Sequence, residues 1–135
     1  MKVDSNFGTI DIAISGLRAQ NQNMNLISSN VANAQTTDDG TGQPYRRVEA
    51  AFRVDGKDGI GGVKVEDVAM DMSDFQQILK PGHPDADGQG FVAMPNVNVP
   101  VEMMNLNEAV RSYKANAAVL KRYQEMVNST LELLK

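Results

Sequence analysis

Residues 101–135 read VEMMNLNEAVRSYKANAAVLKRYQEMVNSTLELLK, and the periodicity of this stretch decides the fold. Met103, Leu106, Val110, Tyr113, Ala117, Leu120, Gln124, Val127, Leu131 and Leu134 alternate spacings of three and four, and all but Gln124 are apolar. That is one helix stripe sustained over successive heptads. The spacing predicts a helix over about 101–134, roughly 50 Å long at 1.5 Å per residue. Pro100 stands where a proline can open a helix, because the N–H it lacks would be unpaired there anyway. Val119, Tyr123, Met126 and Leu133 add a second row that widens the apolar surface toward the C-terminus. A helix this long carries more apolar surface than one small domain can cover, so it needs another helix or another chain.

The N-terminal segment follows the same rule with a different surface. Ile10, Ile14, Leu17, Met24 and Val31 lie on one heptad track, interrupted by Asn21 and Ser28, and predict a helix over about 7–33. Its other face carries Ser15, Gln20, Gln22, Asn23, Asn25, Ser29 and Asn30, which are mediocre helix formers. Such a helix is marginal alone. An uncharged polar face suits a helix sealed by protein on several sides, where an unpaired charge would cost several kcal/mol. The alternative is an ordinary surface helix of unusual composition.

Between the helices the pattern changes to strands and turns. Val48, Ala50, Phe52 and Val54 alternate with polar neighbours, as in a half-buried strand. Val63 and Val65 alternate, and Val68, Met70 and Met72 resume one step out of phase, which predicts a bulge near Glu66-Asp67. Residues 75–79 and 91–92 offer short strands, and the Gly-rich stretches 55–62 and 81–90 are turns. The chain thus divides into 1–37, an N-terminal helix with its turn; 38–100, a β-rich insert; and 101–135, the C-terminal helix. The insert reads as a small β subdomain between the two helices.

Composition removes several function classes. The 135 residues fit one domain, and with no Cys there is no disulfide scaffold, thiolate metal site or cysteine nucleophile. A net charge of −4 is weak and of the wrong sign for a nucleic-acid binder. No apolar run approaches a membrane span, and the opening MKVDSNFGTIDIAISG, broken by Asp4 and Asp11, does not fit a Sec-type signal. His83, Asp85 and Asp87 are the best candidate metal ligands, but a calcium loop starting at Asp85 would need Glu where Asn96 stands. Turn formation explains the same residues. Asp38-Asp39 are adjacent and so do not form a catalytic carboxylate pair. The Gly56–Gly62 stretch lacks the Lys-Ser/Thr of a phosphate loop. Arg46-Arg47 read as a strand-end pair making a salt bridge. No nucleophile, base and orienting group can be assembled, which points away from an enzyme and calls for no cofactor.

One motif goes further. Ser29-Asn30-Val31-Ala32-Asn33-Ala34 resembles the Ser-Asn-apolar-Ala-Asn-Ala signature that ends the first helix in the axial proteins of the bacterial flagellar rod and hook. In most of those proteins a Thr-Pro-Gly-Tyr turn follows directly. Here Gln35 to Gln43 intervenes before Pro44-Tyr45-Arg46-Arg47. That detour, the stretch Lys80 to Val99 and the stretch Val101 to Asn116 are similar to the proximal-rod members of the family. The last contains a Glu-Met opening and an Arg111-x-Tyr113-x-x-Asn116 core. Pro100 and Val110 are small departures. The likeness runs from about residue 7 to 134.

The resemblance implies an α+β structural protein whose terminal helices pair as an antiparallel coiled coil, with the β insert outside. It implies that the Ile10, Ile14, Leu17, Met24, Val31 track packs on Met103, Leu106, Val110, Tyr113, Leu120, Val127, Leu131 and Leu134. The remaining helix faces would meet neighbouring subunits in a helical tube that transmits motor torque and walls the export channel. Implied partners are copies of the chain itself, proximal and distal rod subunits, the rod–membrane-ring junction protein and the flagellar type III export apparatus. The implied location is the periplasmic rod of the basal body, reached without a cleaved signal peptide. Asn30 and Asn33 would be helix-end residues that bond free carbonyls or take left-handed geometry, and the following loop would be a corner. Two other readings remain: a cytosolic coiled-coil adaptor that binds a partner helix, and a metal-dependent enzyme centred on His83.

Overall fold

Asn98 opens the C-terminal helix: its backbone is extended (φ −101°, ψ 100°), its side chain accepts from the Val101 N–H, and Pro100 follows in the first turn. A computed structural model describes residues 4–55 and 61–134. The elements run α1 (Asp4–Ala32), β1 (Val48–Asp55), β2 (Gly62–Met70), β3 (Gln76–Leu79), β4 (Phe91–Met94) and α2 (Val99–Glu132). This is an α+β arrangement of two long helices with a small antiparallel β insert. Both helices begin two or three residues before the predicted bounds of about 7 and 101, since caps and first turns need no apolar periodicity.

The two helices lie side by side. A methyl group at Gly16 would sit 2.6 Å from Asn116 Nδ2, and Asn30 donates to Glu102, so the two helices run in opposite directions. Gly16 leaves room for Asn116 at the seam, and the buried side chains of the two helices are Ala13, Ala19, Ile27 and Asn30 from α1 and Glu102 and Ala109 from α2. Small residues let the two backbones approach. The larger apolar residues flank the seam, with Ile10, Ile14, Leu17, Met24, Val31, Leu106, Val110, Tyr113 and Leu120 half-buried.

The insert holds two separate ribbons. β1 pairs with β2, and β3 pairs with β4, both antiparallel. In the first ribbon Ala51 faces Asp67 and Phe52 faces Val65, leaving Glu66 as the extra residue of a bulge. The bulge falls where the sequence changes phase. Its effect is to bring Val63, Val65, Val68 and Met70 opposite Val54, Phe52, Ala50 and Val48, so that the apolar residues of both strands share one face. That face is less covered than a half-buried strand implies: Val48, Ala50, Val63 and Val65 are half-buried, whereas Phe52 and Val54 are exposed. β1 and β2 pack on α1 alone among the elements, which leaves much of the ribbon open. The predicted turn at 55–62 lies mostly outside the described residues; the turn at 81–90 is present, with Gly82 and Gly90 at positive φ.

Candidate assembly surface and the polar junction behind it

The end of α1, the start of β1 and the start of α2 meet at one buried point. Asn30 and Glu102 are each 1% exposed there. Asn30 Nδ2 donates to the Val48 carbonyl at 2.8 Å and to Glu102 Oε2 at 3.0 Å. Its Oδ1 accepts from the Val48 N–H and from the Tyr45 hydroxyl, both at 3.0 Å. One side chain thereby completes two donor and two acceptor bonds, the full capacity of the primary amide in ordinary geometry.

Glu102 has a second partner. Its Oε1 accepts from Arg47 Nε at 2.7 Å, and Arg47 Nη1 reaches Glu49 at 2.8 Å and Asp71 at 3.6 Å. Burial works against the charge of Arg47, but the hydrogen bonds and fields of Glu102 and Glu49 outweigh it and hold the guanidinium above its ordinary pKa. The Arg47 N–H donates to Asn96 Oδ1 at 2.8 Å, and Asn96 Nδ2 donates to the Asp71 carbonyl at 2.9 Å. Arg46 donates to the carbonyls of Asp71 and Ser73 and lies 4.2 Å over the Phe75 ring. Asp71 is held below its ordinary pKa by the Ser73 backbone and side-chain hydrogen bonds, with Arg47 and Arg46 adding to them. The Arg46-Arg47 pair is thus an intrachain clamp between β1, the end of β2 and the approach to α2.

The signature residues fall around this junction. The Ser29 hydroxyl lies 3.4 Å from the Tyr45 hydroxyl, Pro44 is buried, and Ala32 is exposed. Asn33 Nδ2 donates at 2.9 Å to the Ser29 carbonyl, which also accepts the Asn33 N–H at 3.0 Å, so Asn33 reinforces the last helical turn and bonds no free carbonyl. Asn30 does something else: it reaches across to another helix and a strand. Among the described residues none but Gly has positive φ, so neither Asn turns left-handed. The expected corner is a run of Asx turns. Asp38 Oδ1 accepts from Gly40 and Gly42, and Asp39 Oδ1 from Thr41. The Thr41 hydroxyl and amide hold Asp39 below its ordinary pKa. Asn116 covers Gly16 across the seam, and Arg111 points from the exposed side of α2.

Glu102, Arg47 and Asn96 are the junction residues that single-residue reading misses as a set. Glu102 lies 72 positions from Asn30, and nothing local announces a partner that distant. One signal was available: an acidic side chain in the first turn of an otherwise apolar stripe, with an Arg pair at the strand start.

Behind the junction, α2 turns an apolar surface outward. Val99, Val101, Met103 and Met104 are exposed at its start, and Val119, Met126, Val127, Leu131, Leu133 and Leu134 along its second half. Met104 is 71% exposed and Leu134 80%. An uncovered row of this kind on a helix marks a surface made for another chain.

The His83 loop has another geometry. His83 Nδ1 accepts from the Asp85 N–H at 3.2 Å, Asp85 Oδ2 accepts from the Thr37 hydroxyl at 2.7 Å, and Asp87 Oδ1 accepts from the amides of Gln89 and Phe91. These carboxylates close turns and tie the 80–90 loop to the loop after α1. Among the described residues no three His, Asp or Glu side chains are grouped so as to hold a metal ion, and no helix is long and apolar enough to cross a membrane.

Known proteins match the chain in these same regions. The family model described as "Flagella basal body rod protein" matches residues 10–38, and that described as "Flagellar basal body rod FlgEFG protein C-terminal" matches 89–133. The flagellar basal-body rod protein FlgC of Agrobacterium fabrum is 44% identical, covering 92% of this chain and 91% of its own. That of Escherichia coli O6:H1 is 45% identical over 91% of this chain and 93% of its own. The FlgC of Borreliella burgdorferi is 35% identical over 96% and 97%.

Proposed function

The chain belongs to the FlgC family of flagellar basal-body rod proteins, and on that premise we propose that the exposed apolar surface of α2 is its assembly surface in the rod. It is a structural subunit of the flagellar basal body, serving motility, and not an enzyme. The terminal helices pair as an antiparallel coiled coil, with Ile10, Ile14, Leu17, Met24 and Val31 on one side and Leu106, Val110, Tyr113 and Leu120 on the other, while Met103, expected on this track, stands exposed. Val127, Leu131 and Leu134 extend that track into neighbouring subunits. Heterologous contacts that do not close generate a helical tube, which carries torque and walls the export channel. The neighbours are other copies, proximal and distal rod subunits and the rod–membrane-ring junction protein. The chain reaches the periplasm through the flagellar type III export apparatus.

The observation that carries this reading is the surface from Val119 to Leu134, which α1 leaves open. Leu131 is 57% exposed, so Leu131→Asp leaves the chain's own packing alone. The expected outcome is a non-motile strain whose basal bodies lack the protein, while the purified variant keeps the helix content of the wild type. Normal swimming with Leu131→Asp would refute the proposed surface.

A further inference from the structure

We infer that the β1–β2 ribbon is not a folding unit of its own: α1 is its template, and the ribbon is ordered only when α1 is. Four observations converge. The ribbon has two strands, a size that is marginal without further packing, and most of its residues are exposed. Among the elements it packs on α1 alone; β3–β4 touches neither helix. It is pinned to α1 at both ends. At its base Asn30 bonds both the N–H and the carbonyl of Val48, and at its far end Ser15 Oγ accepts from the Val63 N–H at 3.0 Å. Gly62 permits that close approach, because a methyl group there would overlap the Ser15 side chain.

The spans agree. Fifteen residues of helix between Ser15 and Asn30 rise about 22 Å, and β1 from Val48 to Val54, which pairs with Val63, covers about 20 Å. A straight α1 holds the two pins at the separation the extended ribbon needs. A frayed α1 loses both. The sequence pattern treats the insert as one small β subdomain. The structure divides that insert: β1–β2 belongs with α1, and β3–β4 does not. The inference rests on no claim about the rod, so its test is independent of the assembly reading.

Amide exchange on the full-length chain tests it in two directions. Asn25 is exposed in mid-α1 and bonds only Asn21 among the described residues. Asn25→Pro breaks the helix there without touching the ribbon, with an expected loss of protection of about a hundredfold. Protection at Val48–Asp55 and Gly62–Met70 should fall by the same factor, while Gln76–Leu79 and Phe91–Met94 keep theirs. The reverse arm is Asn21→Ala with Asn25→Ala, which raises helix propensity at two exposed sites. Protection of α1 and of β1–β2 should then rise together, by about fivefold. A ribbon whose exchange stays fixed while that of α1 changes in either variant overturns the inference, as does a ribbon protected in a chain whose α1 is not. Loss of rod assembly with these exchange patterns intact would count against the assembly reading alone.

Discussion

The two ends of the helix pair invert the usual rule for what lies inside. At the α1 C-terminus the buried groups are an amide and a carboxylate, Asn30 and Glu102, sealed by Arg47. Toward the α2 C-terminus the side chains left open are Met126, Val127, Leu131, Leu133 and Leu134. A polar junction gives a single chain geometric precision, because its bonds form in one register only. An open apolar stripe gives little order to a single chain and much affinity for a neighbour. The difference assigns the ends separate work: one fixes how the insert and helices are joined within a subunit, the other joins subunits. The two kinds of residue therefore fail differently when changed.

The largest break is at the junction. Glu102→Ala removes the carboxylate that accepts from both Arg47 Nε and Asn30 Nδ2; Arg47 keeps Glu49 and Asp71, but the two donors lose their buried acceptor, at a cost of about 2–3 kcal/mol. It should appear as a lower urea midpoint of the isolated chain together with loss of the protein from basal bodies. The tail should separate those two readouts. Leu133→Ala or Leu134→Ala removes surface that is 88% or 80% exposed, so the isolated chain keeps its midpoint. Association weakens by about 1–2 kcal/mol per interface if the side chain is buried there, read as fewer rods per cell. A tail variant that lowers the midpoint as much as Glu102→Ala would erase the contrast between the ends.

A smaller change sharpens the comparison along the seam. Gly16→Ala places a methyl group against the Asn116 amide, and the Asn tip must move, a strain of about 1 kcal/mol. Asn116→Ala in the same chain removes the obstacle, so the double variant should lose less than the two single effects added. Strict additivity would mean that the two residues do not meet.

Much of the architecture was legible because it is periodic. The α2 stripe, the Pro100 start and the change of phase at Glu66 each have a local cause that survives in the sequence. The seam was less legible. Hydrophobic periodicity marks Ile14, Leu17 and Met24, but the close approach of the helices is made at Gly16, whose lack of a side chain lets Asn116 lie against it and which a hydrophobicity pattern undervalues. Asn30 shows the limit. Its sequence neighbours fit a helix-end role, and only Asn33 stays at the helix end, adding a second bond to the Ser29 carbonyl. What Asn30 does depends on Val48 and Glu102, one across a loop and the other at the far end of the insert.

The smallest expected effect compares two carboxylates depressed for different reasons. Asp71 sits at the edge of the junction, bonded by Ser73 and facing Arg47 and Arg46; Asp39 sits in the corner loop, held by Thr41. Both have folded pKa values below the ordinary 3.8. A depressed carboxylate favours the folded state above its unfolded pKa, and that contribution is lost as pH falls from there through the lower folded value. Neither group changes stability near neutral pH, and both act below about pH 4. The location of the loss differs. Acidification through this window should speed exchange of the Arg47 N–H if Asp71 supports the junction, and Asp71→Asn should flatten that response. Asp39→Asn should leave it unchanged, because the corner loop can loosen while Asn96 and Glu102 still hold Arg47. Equal responses in the two variants would mean that the junction and the loop behind it respond to acid as one unit.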